Sequence, residues 1–252
     1  MHAPGPRSGW QRSAGRSARL VRVNTTEYRQ HRFRLPPGAA DLLLVRHGES
    51  QPARLDVPFP TKGGHADPPL DPRGEQEAAL VADRLAREPL AAIYVTSLQR
   101  TAQTAAPLAA RVGIEPRQEP DLREVHLGEW EGAAFRAHVR EGHPIAQRLF
   151  VEERWEVIPE AETTDAFAER VRTGIERIAA AHPDQRVVVF THGGVIGMAA
   201  GLATGGRPFA FVSADNASIT HLVVLRDQWI MRRFNDTGHL DTDLDRPPEP
   251  LT

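Results

Sequence analysis

Three short apolar runs punctuate the chain, and two of them stop at a histidine. Leu42-Leu43-Leu44-Val45 breaks off at Arg46-His47-Gly48-Glu49-Ser50, and Val187-Val188-Val189-Phe190 breaks off at Thr191-His192-Gly193-Gly194. The third run, residues 91–95, precedes Thr96-Ser97. Unbroken apolar runs of this length predict strands covered on both faces, as in a parallel sheet. Helical spacing lies between them. Residues 75–87 carry apolar side chains at 78, 79, 81, 82, 85 and 86, a continuous stripe that Pro89 ends. Ser97 caps a second helix over 98–111, with Pro107 a candidate break. Thr163 or Thr164 caps a third that runs to 181. Residues 195–203 are apolar all round and predict a buried fourth helix. Residues 219–225 and 229–234, joined across Arg226-Asp227, read as a hairpin. Residues 51–74 hold six prolines and three glycines, and predict a long loop beside the first strand end, where ordered loops often serve function. Residues 121–132 lack a clear period and read as loop, and 155–159 are irregular.

Strand, loop and helix in repetition predict an α/β fold, a three-layer α/β/α sandwich with a mostly parallel sheet and an antiparallel edge. The expected division is an Arg-rich flexible leader over 1–38, one domain over 39–240 and a flexible tail over 241–252. In an open sheet of this kind ligands bind beyond the carboxyl ends of the strands. Both histidines stand there.

Composition narrows the chemistry. The 252 residues suffice for one sizeable domain, and 40% hydrophobic with 25% charged residues is ordinary for a globular protein. There is no cysteine, which excludes disulfides, thiolate metal sites and a cysteine nucleophile, and fits a cytoplasmic protein. No apolar run approaches the ~18–20 residues of a membrane span, so no membrane association is expected. Residues 1–40 hold eight arginines and one glutamate, a charge of +7 against −2 for the whole chain, which leaves −9 on the remainder. An acidic body is a poor nucleic-acid surface, and no nucleic-acid partner is expected.

A lone histidine after a buried strand is more often structural than catalytic. Here Arg46 precedes His47 and Gly48 follows it. Arginine offers a planar fork that matches phosphate, and glycine permits close backbone approach. His192 repeats the design, with Gly193-Gly194 opening a helix whose free N–H groups would face an anion. Arg100, in Ser97-Leu98-Gln99-Arg100-Thr101-Ala102-Gln103-Thr104-Ala105, follows the second strand closely enough to add a second guanidinium. Glu124, Glu129 and Glu131 are candidate acid–base groups that composition does not separate. His65 and Asp67 form a pair but lack the spacing of a metal site, so no metal and no cofactor are expected.

These blocks, in this order, resemble the histidine phosphatase (phosphoglycerate-mutase-like) superfamily over residues 41–235. They are Leu43-Leu44-Val45-Arg46-His47-Gly48-Glu49-Ser50 with its RHG tripeptide, the Arg100 block, Leu122-Arg123-Glu124 with Gly128-Glu129-Trp130-Glu131-Gly132, and Thr191-His192-Gly193-Gly194. Asp67-Pro68-Pro69-Leu70-Asp71-Pro72-Arg73-Gly74 resembles the lead-in to that family's first helix. The resemblance implies a phosphohistidine on His47, phosphate held by Arg46, Arg100, His192 and the Gly193 backbone, and Glu124 as the acid and base. It implies a phosphorylated small-molecule substrate. Where the family often has an asparagine after the RHG motif, this chain reads Gln51-Pro52-Ala53-Arg54, so Gln51 and Arg54 are the candidates for that contact. Lys62, the one lysine, joins Arg54 as a candidate for a second anionic group on the substrate. The resemblance admits a phosphoglycerate mutase and, on the same fold, a non-catalytic binding module. The 68 positions from Glu124 to His192 are short for a mutase cap, and His47 and Glu124 are both present, which favours hydrolysis. The C-terminal hairpin is a candidate homodimer edge.

Overall fold

In a computed structural model of the chain, the residues described are 8–11, 21–24, 28–57, 59–207 and 209–240. The chain divides into two units, residues 1–34 and 35–252, and the second carries every numbered strand and helix. In the leader, Ser8–Gln11 pairs antiparallel with Val21–Asn24. The rest of the leader as far as residue 27, and the tail over 241–252, lie outside the described residues.

The sheet is built from β1 (Ala40–Arg46), β2 (Leu90–Val95), β3 (Arg117–Gln118), β4 (Arg186–Thr191), β5 (Ile219–Leu225) and β6 (Gln228–Asp236). Its order is β6-β5-β1-β4-β2-β3. β1, β4, β2 and β3 run parallel, while β5 and β6 form the antiparallel edge. The apolar run of β1 is covered on both faces because its side chains alternate between two cores. Leu42 and Leu44 pack with Phe167, Val171, Ile175 and Ile196, whereas Leu43 and Val45 pack with Val81, Leu85, Ala105 and Leu108. The first group comes from α5 (Thr164–Ala181) and α6 (Gly193–Thr204), the second from α1 (Pro72–Leu85) and α2 (Gln99–Val112). Three layers follow directly.

Three details differ from the sequence pattern. Ser97 does not cap α2, whose N-cap is Leu98 without a side-chain cap bond. Pro107 does not break α2, which continues to Val112 and ends on Gly113 at φ 68°. The flanking Ala105 and Leu108 are fully buried, and that packing outweighs the hydrogen bond a proline withholds. Residues 133–154, in which the pattern shows no element, form α3 (Ala134–Glu141) and α4 (Pro144–Glu152). α3 buries none of its residues completely, and its apolar side chains Ala134, Phe135 and Val139 pack against the core only in part. Among the described residues no helix is long and apolar enough to cross a membrane.

One backbone contact fixes the loop after β1. Asp71 caps α1 by accepting from the Gly74 amide at 2.8 Å, and its own amide donates to Glu49 O at 3.0 Å. A Cβ on Gly74 would lie 2.0 Å from Glu49 O, and one on Gly48 would lie 2.5 Å from Gly74 O. Helix propensity alone favours alanine over glycine at position 74 by about 1 kcal/mol. Overpacking against rigid backbone costs about 1–3 kcal/mol and reverses the sign. Gly74→Ala is therefore expected to lower the urea midpoint. An unchanged or raised midpoint would show that the turn relaxes at no cost.

Candidate active site

Register puts the two histidines side by side. Arg46 pairs with Thr191 at the ends of parallel β1 and β4, and the His47 amide donates to Thr191 O at 3.0 Å. The next residues, His47 and His192, face each other edge to face, with ring centroids 5.2 Å apart. Both are buried.

His47 Nδ1 lies 2.7 Å from Gly48 O. A carbonyl can only accept, so Nδ1 carries the proton, and in the neutral ring Nε2 keeps its lone pair. This supplies the orienting partner that the sequence did not reveal. Burial, then the charges of Arg100 and Arg46, hold the imidazole well below its ordinary pKa. The neutral ring is the stable form in this pocket.

His192 is pushed down in the same way, by burial and then by Arg100 and His47. Its Nε2 lies 3.0 Å from Thr96 Oγ1. Thr101 donates its hydroxyl proton to Leu98 O at 2.8 Å, so Thr96 donates to Thr101 Oγ1 at 3.1 Å. His192 then donates to Thr96 from Nε2, and its buried Nδ1 has no protein partner.

Two guanidiniums sit beside these rings. Arg46 donates from NH1 to Ala214 O at 2.6 Å. Arg100 donates to Ala66 O at 2.9 Å and has Asp67 Oδ1 at 4.0 Å. Burial lowers both, Arg100 to about 10, so both remain charged at neutral pH. Thr104, one turn along α2, ties the two blocks together by donating to Arg100 O and accepting from the Gly48 amide.

The structure separates the three glutamates. Glu124 Oε2 accepts from the Gly194 amide at 3.2 Å, at the start of α6, and its charge bears on both Arg46 and Arg100. A Cβ at position 194 would lie 2.4 Å from Glu124 Oε1, so only glycine leaves room for this approach. Glu131 instead bonds the amides of Ala66 and Leu127, and Glu129 is exposed. Gly193 lies against Arg46, with its would-be Cβ 3.4 Å from Arg46 Nε.

The remaining sequence candidates lie elsewhere. Gln51 and Arg54 are outside the buried cluster, and Arg54 is ion-paired to Asp56 at 2.9 Å. Lys62 is exposed on a small hairpin in which Thr61–Lys62 pairs with His65–Ala66. That hairpin does contribute, through the Ala66 carbonyl that holds Arg100. Among the described residues, no group of three or more histidines and acids is placed to hold a metal.

Over residues 42–237 the sequence matches the pattern of the histidine phosphatase superfamily (branch 1). The chain belongs to that superfamily. It is 34% identical over 211 residues to phosphoglycerate mutase-like protein 4 of Arabidopsis thaliana, a match that covers 80% of this chain and 87% of that one. It is 32% identical over 204 residues to phosphoserine phosphatase 1 of Hydrogenobacter thermophilus, covering 79% and 93%. Among solved structures it is similar to a mycobacterial glucosyl-3-phosphoglycerate phosphatase, with a TM-score of 0.65, 25% identity and coverage of 79% and 100%.

Several residues of this histidine phosphatase have no motif to announce them. Asn216 donates to His47 O at 2.9 Å, and the Ala217 amide donates to the carbonyls of Arg46 and His47. Arg170 on α5 donates to the carbonyls of Asp121, Arg123 and Glu124 while ion-paired to Glu162, and Thr191 Oγ1 donates to Leu122 O. Arg136 on α3 bonds Ser50 Oγ at 2.7 Å and Gln51 O at 3.0 Å. All act on backbone or by charge across distant parts of the chain, which leaves no local pattern.

The lowered imidazole pKa values have a sign. Below pH 6.5 the unfolded chain takes up protons that His47 and His192 refuse, so both contribute a loss of stability as pH falls beneath that value. In ¹⁵N NMR both rings are expected to stay neutral from pH 7.5 to 6, with the Nδ1–H tautomer at His47. A titration midpoint near 6.5 for either ring would overturn the assignment.

Proposed function

We propose that the chain is a metal-independent phosphomonoester hydrolase that works through a phosphohistidine on His47. The observation that carries this reading is the His47 tautomer, with its proton on Nδ1 donated to Gly48 O and the lone pair on Nε2 among buried guanidiniums. Nε2 attacks phosphorus as the bond to the leaving oxygen breaks, and Glu124 in its acid form gives that oxygen a proton. Glu124, now a carboxylate, takes a proton from water, the hydroxyl adds to phosphorus, and the P–N bond breaks to regenerate His47 and release phosphate. Splitting the transfer lowers each barrier, and one carboxyl group serves both steps. Arg46 and Arg100 hold the non-bridging oxygens and spread their charge. His192, whose Nε2 proton stays hydrogen-bonded to Thr96, takes onto Nδ1 the proton that a monoanionic phosphoester brings and donates it back to a non-bridging oxygen. The Glu124 segment is held from three sides, by Arg170, Thr191 and Gly194, so that the acid stays at the start of α6 within reach of the charges of Arg46 and Arg100.

Relatives named as phosphatases and as mutases both occur. The short cap favours hydrolysis, because α3 and α4 have eight and nine residues and a mutase must shield its phosphohistidine from water. A panel of phosphorylated metabolites, with 3-phosphoglycerate assayed with and without its bisphosphate, tests the choice. Phosphate release without priming is expected, and bisphosphate-dependent isomerisation would establish the mutase instead. Activity is expected to survive EDTA.

His47→Ala is expected to abolish hydrolysis of p-nitrophenyl phosphate while retaining the folded circular dichroism spectrum, and full activity would remove His47 as nucleophile. Glu124→Gln is expected to slow turnover by about 10²–10⁴-fold, far more than Glu129→Gln. The reverse order would move the acid–base role.

A further inference from the structure

The peptide group that orients His47 is itself held from its far side. Gly48 O accepts from His47 Nδ1 at 2.7 Å, and the N–H of the same peptide unit, on Glu49, donates to Glu77 Oε2 at 2.8 Å. The unit is planar and trans, so its C=O and N–H point in opposite directions, with the imidazole at one end and a carboxylate at the other. Glu77 stands on α1 and is buried. Its other oxygen, Oε1, lies 3.4 Å from Arg73 Nε, and Arg73 is shared with Glu49. Burial pushes the Glu77 carboxyl above its ordinary pKa, and the charges of Glu49 and Asp71 add to the rise, while the Glu49 amide and Arg73 oppose it. A net rise means that the charge costs stability wherever Glu77 is ionised, and that the cost is relieved as pH falls through the raised value. An uncharged acceptor would hold the loop without that cost.

What a charge adds is polarisation. Hydrogen bonds in a chain strengthen one another, and a carboxylate on the N–H makes the C=O at the other end a better acceptor. That matters when His47 reacts. As Nε2 bonds to phosphorus in the proposed reaction, the ring takes on positive charge and Nδ1–H becomes a stronger donor. Arg46 and Arg100 suit the phosphoryl oxygens but oppose charge on the ring, since both already disfavour its protonation. Glu124 is held at the start of α6, and its proposed task is on the leaving oxygen. Glu77 is the carboxylate connected to the Nδ1 side, two hydrogen bonds and one peptide unit away. In a serine protease triad the carboxylate bonds the imidazole N–H directly. Here a peptide unit stands between them.

We propose that Glu77 is a positioning residue for phosphoryl transfer, whose carboxylate acts through the Gly48–Glu49 peptide to hold the proton on His47 Nδ1 and to stabilise the positive charge that the ring acquires. The proposal rests on reading His47 as the nucleophile. Glu77→Gln keeps an acceptor for the Glu49 amide and removes the charge, so a purely structural role would survive it. In rapid-quench assays with p-nitrophenyl phosphate, phosphohistidine formation in Glu77→Gln is expected to slow about three- to tenfold. Affinity for inorganic phosphate is expected to stay unchanged and the melting temperature not to fall, while the His47 Nδ1–H proton resonance moves upfield. A full rate with an unmoved resonance would leave Glu77 a packing ligand and overturn the proposal. Weakened phosphate affinity with an unmoved resonance would overturn it as well, by placing the effect on Arg46, which also feels the Glu77 charge. If Glu77→Gln does not fold, the unmodified chain decides. On acidification the Nδ1–H resonance is expected to follow the Glu77 carboxyl signal with one midpoint, the groups facing that carboxyl being Glu49, Asp71, Arg73 and Arg46. Independent midpoints would overturn the proposal. The resonance needs no turnover, so an unmodified chain that forms no phosphohistidine would sink the hydrolase reading and leave this test in force.

Discussion

The proton on His47 Nδ1 points at a carbonyl one residue away, and the pocket is organised around keeping it there. A ring that presented N–H on both sides would be cationic and would have no lone pair to give. Burial beside Arg46 and Arg100 disfavours that state, at about 1.36 kcal/mol for each unit by which the pKa is displaced. The Gly48 carbonyl then decides which nitrogen the remaining proton occupies. Its position depends on backbone packing that admits no side chain at 48 or 74, and on Thr104, which holds the Gly48 amide. A catalytic property is thus traced to contacts that involve no catalytic group.

Charge is arranged in a similarly indirect way. Two arginines in a buried space would repel each other and resist desolvation, and each is steered by a carbonyl oxygen, Ala214 O for Arg46 and Ala66 O for Arg100, with Asp67 4.0 Å from Arg100. Carbonyls steer a guanidinium without neutralising it. Glu124 approaches both, but its proposed role requires it to change charge during the cycle. In the proposed reaction these two guanidiniums would face an arriving dianion and stabilise the transferring group.

Much of this was legible in the sequence. The apolar runs of β1, β2 and β4 announced strands covered on both faces, and the polar break after each pointed to a ligand edge. The sequence set both histidines beyond the carboxyl ends of strands, and the adjacency of β1 and β4 sets them edge to face. Glu124 could not be separated from Glu129 and Glu131 by residue type, because the distinction lies in what Gly194 leaves open on a helix 70 positions away. Arg136 was invisible for a related reason. It lies on the polar side of a short helix, and its bonds reach Ser50 Oγ and Gln51 O, 86 and 85 positions away. Periodicity reports on burial of apolar faces, and neither charged side chain is part of one.

The strand that carries His47 has a parallel neighbour on one side, β4, and an antiparallel one on the other, β5. It is a topological switch point, where a crevice opens because the chain leaves on one side and arrives on the other. The departing side gives His192. The arriving side gives residues 214–218, whose carbonyl and amide groups grip Arg46 and His47 from above. Floor and walls are consequently built separately. The floor belongs to strand register, whereas the cap helices and the hairpin at residues 61–66 lie outside the sheet, where a change of length or charge leaves that register intact. A fold divided in this way can keep one phosphoryl-transfer chemistry while substrate choice drifts at its rim.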